Sequence, residues 1–206
     1  GSASQGNFIV SDSDAAANAD GQATGRSHDI WGPPFSCLGK NTVWLHLSAT
    51  MVLNNNGLCV VDVDVSTDNG TTWNNVFRRV APGRTADPKP LADIPAGLPG
   101  GPQVGTVDGF FGQLDVDLSP FAANQPHVRL RLRHFEPDDD WWVAIDDVLV
   151  DTVPSVGGTG VLLDESFTGG IPDDWTINSV AGGLALWSAS DPCNASLLHL
   201  NGGQFF

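Results

Sequence analysis

The sequence predicts an all-β protein built as an antiparallel β-sandwich. Several segments alternate apolar and polar residues with the period of two that is typical of strands, most regularly at 43–52 and 128–135. The 206 residues include 24 glycines and 14 prolines and no long amphipathic repeat, which favours turns between short strands over helices. That length suffices for one large domain, or for one domain plus a small piece.

The charge balance excludes some classes of function. With 9 basic and 24 acidic residues the net charge is −15, which argues against nucleic acid and against anionic lipid as partners, because both require a basic face. The charge indicates either ordinary solubility or an extracellular, calcium-rich setting in which carboxylates bind cations. The sequence contains no run of eighteen apolar residues and therefore predicts no membrane span, and no signal peptide is evident.

The cysteine count does not decide the redox compartment. Cys37, Cys59 and Cys193 allow one disulfide and one free thiol, and none of their spacings matches a zinc site.

The chain begins with a predicted strand at 8–10, followed by an acidic turn that contains Asp12 and Asp14. Two carboxylates spaced in this way after a strand can converge on one cation when the backbone turns. The alternative is a turn in which Asp and Ser bond the local backbone. Residues 22–42 are predicted to be a loop, broken by Gly-Pro-Pro at 32–34.

The best hairpin in the sequence is predicted for strands at 43–52 and 58–66, joined by an Asn-rich turn at 54–57. A tight turn at 67–73 then leads into a further strand. The Pro/Gly-rich stretch 81–107 is too long for a plain hairpin link, which is typical of a functional loop or a surface excursion.

Three more strands are predicted before the chain reaches a linker. They lie at 110–118, 128–135 and 141–151, with a short turn, or one helical turn, at 119–122. The second of them places three arginines on one face: Arg129, Arg131 and Arg133. Opposite Asp62 and Asp64 these arginines would form cross-strand ion pairs; the alternative is three solvated side chains.

The strand at 141–151 carries the adjacent carboxylates Asp146 and Asp147 between apolar residues. Burying a lone carboxylate is costly, so at least one of the two should be paired, solvated or bound to a cation. We interpret this segment as the last core strand of the sandwich.

The sequence divides into a sandwich body at 1–152, a linker at 153–160 and a C-terminal segment at 161–206. The segment opens with a predicted strand at 161–167. Its length of about 46 residues is too short for a separate sandwich, so it must pack against something else.

Four motifs occur in an order that resembles a known family; they lie at 63–73, 117–119, 128–132 and 141–148. They resemble the cleaved-adhesin or MAM-like domains of bacterial secreted proteins, which are galactose-binding-like jelly rolls. The resemblance covers nearly the whole chain in circularly permuted order, because the start of such a domain resembles 164–175 and its continuation resembles 6–14. It implies a jelly-roll sandwich that the C-terminal segment completes.

The permuted order has two physical solutions. In cis, the segment folds back on its own chain, since the eight residues of 153–160 reach roughly 26 Å. In trans, it enters the next molecule by donor-strand complementation, and the contact repeats head to tail into a filament. The apolar end at Phe205 and Phe206 favours assembly, and a third possibility is a fragment cut out of phase from a tandem array.

The resemblance also implies structural calcium near the start of the domain and on its last strand. Matching positions are Asp12, Asp14, Asp146, Asp147 and Glu165. An oxygen-only ligand set fits Ca²⁺ rather than zinc.

No catalytic motif is recognisable, so we expect no enzyme. Trp31 and Trp141, beside predicted loops, are candidates for stacking on sugars, with core packing as the alternative. The sequence therefore predicts an extracellular or cell-surface adhesion module whose partner is another copy of itself. The runner-up is a carbohydrate-binding module for a surface glycan, and a hydrolase comes third.

Overall fold

A computed structural model describes residues 7–12, 26–52, 59–80, 102–104, 109–136, 142–154, 160–181 and 187–190. Twelve strands and one helical turn are assigned in these ranges. The elements are β1 (Phe8–Asp12), β2 (Arg26–Trp31), β3 (Trp44–Val52), β4 (Val60–Ser66), β5 (Asn74–Val80), β6 (Pro102–Val104), β7 (Gly109–Asp117), α1 (Ser119–Ala122), β8 (Arg129–Glu136), β9 (Trp142–Asp151), β10 (Leu163–Glu165), β11 (Thr176–Ala181) and β12 (Trp187–Ser190).

The strands form two sheets, which confirms the predicted all-β sandwich. Sheet A has the order β12-β1-β9-β3-β7, with β10 also paired to β9, and sheet B has the order β11-β2-β8-β4-β5-β6. Among the described strand pairs all are antiparallel except β5 with β6.

One apolar core lies between the sheets, built by the period of two. Leu45 and Leu47 of β3 face it from sheet A, and Val63 of β4 and Leu132 of β8 face it from sheet B. Alternate residues on these strands point away from the core.

The predicted hairpin of strands 43–52 and 58–66 is wrong. β3 pairs with β7 and β9 in sheet A, whereas β4 pairs with β5 and β8 in sheet B. Both strands carry a continuous apolar face, and these faces pack across the core instead of lying side by side in one sheet. The predicted turn at 54–57 lies outside the described residues.

The predicted loop at 22–42 is also wrong in part, because β2 lies inside it and joins β11 to β8. This strand has no clear apolar alternation: only Ile30 and Trp31 are large and apolar, and His28 and Asp29 are buried polar residues. Likewise, the short β6 falls within the predicted long loop.

The C-terminal segment, of which the structure describes 161–181 and 187–190, contributes a strand to three places in the sandwich. β10 pairs with β9, β11 with β2 and β12 with β1, all antiparallel and in the same chain. Three of its aromatic side chains are buried in the core: Phe167, Trp175 and Trp187. The segment thus contributes to both sheets and to the core between them.

Candidate functional site

A β-bulge in β9 resolves the problem of the adjacent carboxylates. Asp147 and Val148 together face the single residue Leu47 of β3, and Asp147 has a positive φ of 51°. The extra residue lets Ile145 and Val148 both reach the core while Asp146 and Asp147 lie between them.

Local hydrogen bonds hold the bulge. The Asp147 backbone N–H donates to Asp146 Oδ1 at 2.8 Å, and the Ser48 hydroxyl donates to Asp147 Oδ2 at 3.2 Å. Asp146 is buried and Asp147 is exposed. The acidic pair therefore fixes an irregular backbone at the centre of sheet A.

The body and the C-terminal segment meet at this bulge. Since β3 occupies one edge of β9, both β1 and β10 pair with the other edge, one on each side of the bulge. Ile9 lies opposite Ile145, and Glu165 lies opposite Val148. Asn7 Nδ2 donates to the Thr168 carbonyl at 3.0 Å and links the two strand ends. We call this region the junction.

Three of the five predicted calcium ligands lie at the junction. They are Asp146, Asp147 and Glu165. Glu165 accepts a 2.7 Å hydrogen bond at Oε1 from the Phe167 backbone N–H. Glu165 lies on β10 of the C-terminal segment, whereas Asp146 and Asp147 lie on β9 of the body.

The other two predicted ligands do not join them in the described structure. Asp12 lies opposite Trp142, four positions from Asp146 along β9, or about 13 Å. Asp14 lies outside the described residues. Within those residues no group of three or more His, Cys, Asp or Glu is arranged to hold a metal ion. Ca²⁺ binds six to eight oxygen ligands, and the described residues do not show such a set. The calcium site therefore stays a prediction.

The chain leaves the body and returns to it at two residues in close contact, Thr152 and Gly160. A Cβ atom on Gly160 would lie 2.4 Å from Thr152 Oγ1. Next to them, the Leu162 N–H donates to the Val150 carbonyl at 2.8 Å and the Thr42 hydroxyl donates to the Thr152 carbonyl at 2.7 Å. We call residues 152–154 and Gly160, the two described ends of this connection, the hinge; residues 155–159 between them lie outside the described ranges.

A buried histidine contacts the start of the hinge. His46 Nδ1 lies 2.6 Å from Asp115 Oδ1 on β7, and His46 Nε2 lies 3.1 Å from the Val153 carbonyl and 3.4 Å from Asp151 Oδ1. The Val153 N–H donates to Asp151 Oδ1 at 2.8 Å. We call His46, Asp115, Asp151 and the Val153 carbonyl the His46 clasp.

The pKa of His46 is raised above its ordinary value. Burial opposes the charged ring, but hydrogen bonds to Asp115, Val153 and Asp151, with the Asp151 charge, together outweigh it. Since both ring nitrogens face acceptors, the protonated imidazolium is the form that satisfies every contact.

The outward face of sheet B carries a second buried polar cluster, which we call the arginine–aspartate network. Its members are Asp29 of β2, Asp62 and Asp64 of β4, Arg78 of β5, and Arg131 and Arg133 of β8. The first contact joins β2 to β8, where Arg131 Nη1 lies 3.6 Å from Asp29 Oδ2.

The contacts within the network are short. Arg78 donates from Nε to Asp62 Oδ1 at 2.8 Å and from Nη2 to Asp62 Oδ2 at 3.2 Å. Asp64 Oδ2 accepts from Arg131 Nε at 2.8 Å and from Arg133 Nη2 at 3.1 Å. Burial, followed by the neighbouring Asp64, raises the pKa of Asp62 to about 6, against the opposing effect of Arg78 and Arg133.

Cross-strand ion pairing of Arg131 and Arg133 with Asp62 and Asp64 is thus confirmed over the solvated alternative. Arg129 behaves differently and donates from Nε to the Gly32 carbonyl at 3.0 Å. The ion pairs of Arg131 and Arg133 differ from surface ion pairs in their burial. Asp62, Asp64 and Arg133 are buried, and Arg131 is nearly so. Breaking such pairs costs far more than breaking exposed ones.

Trp31, a predicted sugar-stacking residue, lies beside the network in an aromatic–guanidinium cluster. Its ring meets that of Trp73 edge to face at 4.9 Å, and the Arg129 guanidinium lies 5.6 Å from its centroid. Arg131 covers Trp73 at 4.5 Å. A Cβ atom on Gly70 would lie 2.9 Å from the Trp31 ring. These contacts support packing for Trp31; its sugar-binding role stays a prediction, and Trp141 lies outside the described residues.

A third polar contact crosses the core. Ser11 Oγ of β1 lies 2.8 Å from His134 Nδ1 of β8, and both side chains are fully buried, as is His28 of β2 opposite His134. A Ser–His pair without access to solvent positions sheets and is not arranged to meet a substrate.

Cys37 and Cys59 are buried in the core as thiols, and neither forms a disulfide. Burial, partly opposed by Lys40, raises the pKa of Cys37 to about 11, so this thiol is a poor nucleophile. Cys193 lies outside the described residues.

Comparison with known proteins does not assign the chain to a family. No protein-family model matches the sequence, and no curated protein matches it. The resemblance to adhesin-type jelly rolls therefore stays a prediction. Within the described ranges, no helix has the length and apolarity needed to cross a bilayer.

Sequence reasoning missed the His46 clasp. The sequence shows that His46 alternates with apolar residues on a predicted strand and that acidic segments follow later in the chain. It does not reveal which of those carboxylates lie next to His46 in the fold.

Proposed function

We propose that this protein is a non-enzymatic, extracellular module that assembles head to tail by exchanging its C-terminal segment between copies. The observation that carries the proposal is the pairing of the segment. Its three strands pair with β9, β2 and β1 of the body and, within the described residues, not with one another. A neighbour's segment can therefore make every one of these contacts in trans.

The body has a strong physical need for the segment. Without it, β1 and β2 become open sheet edges, which are ready templates for pairing with another chain. The core would also lose Phe167, Trp175 and Trp187, and removing one large buried aromatic alone costs about 3–5 kcal/mol. An occupant is required, and a copy of the same chain supplies the matching one.

The balance between closed and exchanged forms depends on the hinge. Segment contacts are the same in both forms, so they cancel in the free-energy difference. What differs is the connection between Thr152 and Gly160, which joins two touching residues of one chain in the closed form and runs between two copies in the exchanged form. Exchange then rises with protein concentration by mass action.

Calcium is part of the proposal as a clamp on the junction. Asp147 comes from the body and Glu165 from the segment, so an ion bound by both would hold the segment in place whichever chain donates it. The net charge of −15 supports a calcium-rich, extracellular setting.

The clamp is tested by thermal unfolding with excess CaCl₂, with MgCl₂ as a control and with a chelator. We expect Ca²⁺ alone to raise the Tm of the natural protein, and Glu165→Gln with Asp147→Asn to abolish the rise. Equal melting curves with Ca²⁺ and with chelator would remove calcium from the proposal and leave strand exchange standing.

Exchange is tested with a cysteine pair across β10 and β9, Asp164→Cys with Leu149→Cys, in a Cys193→Ser background. These two positions lie opposite one another, within disulfide reach. Oxidised at high concentration, an exchanging protein gives a ladder of linked chains on a non-reducing gel. A matched pair within the body, Thr50→Cys with Ala144→Cys, must give only monomers. Monomers alone from the first pair at every concentration would overturn the proposal.

A further inference from the structure

We propose that the His46 clasp is a proton-operated lock on the hinge, closed when His46 is an imidazolium and released when the ring loses its proton. This inference rests on the proposed segment exchange, whose regulation it supplies. It concerns residues that the sequence did not single out.

The lock joins three elements at the point where the chain leaves the body. His46 projects from the outer face of β3, Asp115 from the edge strand β7, and Asp151 is the last residue of β9. Through Nε2 the ring also binds the carbonyl of Val153, the second residue of the hinge after Asp151. Movement of residues 152–154 away from the body must break this contact.

Protonation decides how many of these contacts exist. The neutral ring has one N–H, and the imidazolium has two. Donation to Asp115 at one nitrogen and to Val153 and Asp151 at the other requires both. Loss of the proton therefore removes one side of the clasp, and the bond that remains holds either β7 or the hinge.

Charge strengthens the lock. The Asp151 side chain is 0% exposed and that of Asp115 is 43% exposed, and in the described part of the chain neither carboxylate forms a salt bridge with lysine or arginine. Other acidic side chains on neighbouring strands are Asp117, which accepts from the Ser119 N–H, Asp147, which accepts from the Ser48 hydroxyl, and Asp164, which lies opposite Leu149. When His46 becomes neutral, Asp151 is a buried carboxylate without a counter-charge, which strongly favours opening.

The direction with pH follows from the raised pKa of His46. A group with a raised folded-state pKa contributes stability that is complete below its ordinary value near 6.5 and is lost as pH rises through the raised value. The hinge is therefore held at mildly acidic pH and released at alkaline pH. The exchanged population should increase about tenfold for each unit by which closing the hinge raises this pKa.

The test measures exchange against pH by light scattering coupled to size-exclusion chromatography. Four proteins are compared: the natural chain, His46→Gln, Asp115→Asn and the matched control His127→Gln, which alters an exposed histidine. The natural chain and the control should assemble increasingly as pH rises. His46→Gln should assemble to a pH-independent extent, and Asp115→Asn should shift the rise to lower pH. The same pH profile in all four would overturn the lock.

A second readout separates failure of the lock from failure of exchange. The Val153 N–H donates to Asp151 within the clasp, so its hydrogen-exchange protection factor reports the hinge directly. A drop in protection above the pKa of His46, absent in His46→Gln, supports the lock even if no copy exchanges its segment, in which case only the proposed function fails. Protection that is unchanged with pH overturns the lock whether or not assembly occurs. If His46→Gln does not fold, the shift in Asp115→Asn decides.

Discussion

The arginine–aspartate network and the His46 clasp are both buried polar clusters outside the apolar core, but they use different cations. The network pairs three aspartates with three arginines, whereas the clasp holds two aspartates with one histidine. Arginine keeps its charge at every pH at which proteins fold, and histidine titrates near neutrality. The cations of the network are therefore permanent, and the cation of the clasp is reversible.

Their positions match this difference. The network ties β2, β8, β4 and β5, which all belong to the body, while the clasp ties the body to the hinge. A permanent tie suits strands that stay together, and a reversible one suits the place where the segment enters and leaves.

Breaking the network should have the largest effect. Asp64→Ala removes a carboxylate that accepts hydrogen bonds from Arg131 and Arg133. Because both guanidinium groups then lose this acceptor in a buried environment, we expect the free energy of unfolding to fall by about 3–5 kcal/mol. Denaturant unfolding measures it, with Asp174→Ala, an exposed carboxylate, as the control. A loss within 1 kcal/mol of the control's would mean that the network carries no such weight.

Removing Trp31 should weaken the same face of sheet B by less. Trp31→Ala deletes a half-buried ring that packs on Trp73 and Arg129, so we expect a loss of about 2–3 kcal/mol. Thermal unfolding measures the loss, and a glycan array run on the same variant tests the sugar-binding alternative. A stable variant that loses glycan binding would favour the carbohydrate-binding module.

The pH dependence of stability separates the two clusters. The contribution of His46 should disappear as pH rises through its raised pKa, by about 1.4 kcal/mol for each unit of the rise. Arginine keeps its charge at neutral and alkaline pH, and Asp62, whose pKa is raised to about 6, titrates below that range. Denaturant titrations from neutral to alkaline pH should therefore fall for the natural chain and change less for His46→Gln; parallel curves would contradict the assignment.

Crowding the hinge at Gly160, without substituting a residue of the clasp, should have the smallest effect on stability. Gly160→Val places a side chain against Thr152, which costs the closed form about 1–2 kcal/mol, and the exchanged form with an extended hinge avoids the clash. We expect more assembly at the same pH and concentration, measured by light scattering. Gly169→Ala, where a Cβ meets nothing within 4 Å, is the control.

The sequence predicted those parts of the molecule that depend on alternation. The strands at 43–52, 58–66, 128–135 and 141–151 match β3, β4, β8 and β9, because each has one apolar face for the core. The ion pairs of Arg131 and Arg133 followed from the same alternation on the opposite face.

The alternation of apolar and polar residues does not reveal which strands and side chains become neighbours in the fold. β2 was missed because its buried residues include His28 and Asp29, whose burial depends on neighbouring strands. The clasp was missed for the same reason, since Asp115 and Asp151 meet His46 only through the order β9-β3-β7. Sheet order also overturned the hairpin, because two strands adjacent in sequence lie in different layers.

Segment exchange is tested most directly by mixing natural-abundance protein with protein fully labelled with ¹⁵N, both carrying cysteines at Leu149 and Asp164. The mixture is held above the pKa of His46, oxidised, digested and analysed by mass spectrometry. Exchange predicts cross-linked peptide pairs in which one partner is light and the other heavy, and fewer of them at mildly acidic pH. Pairs that are only light–light or heavy–heavy at every pH would contradict it.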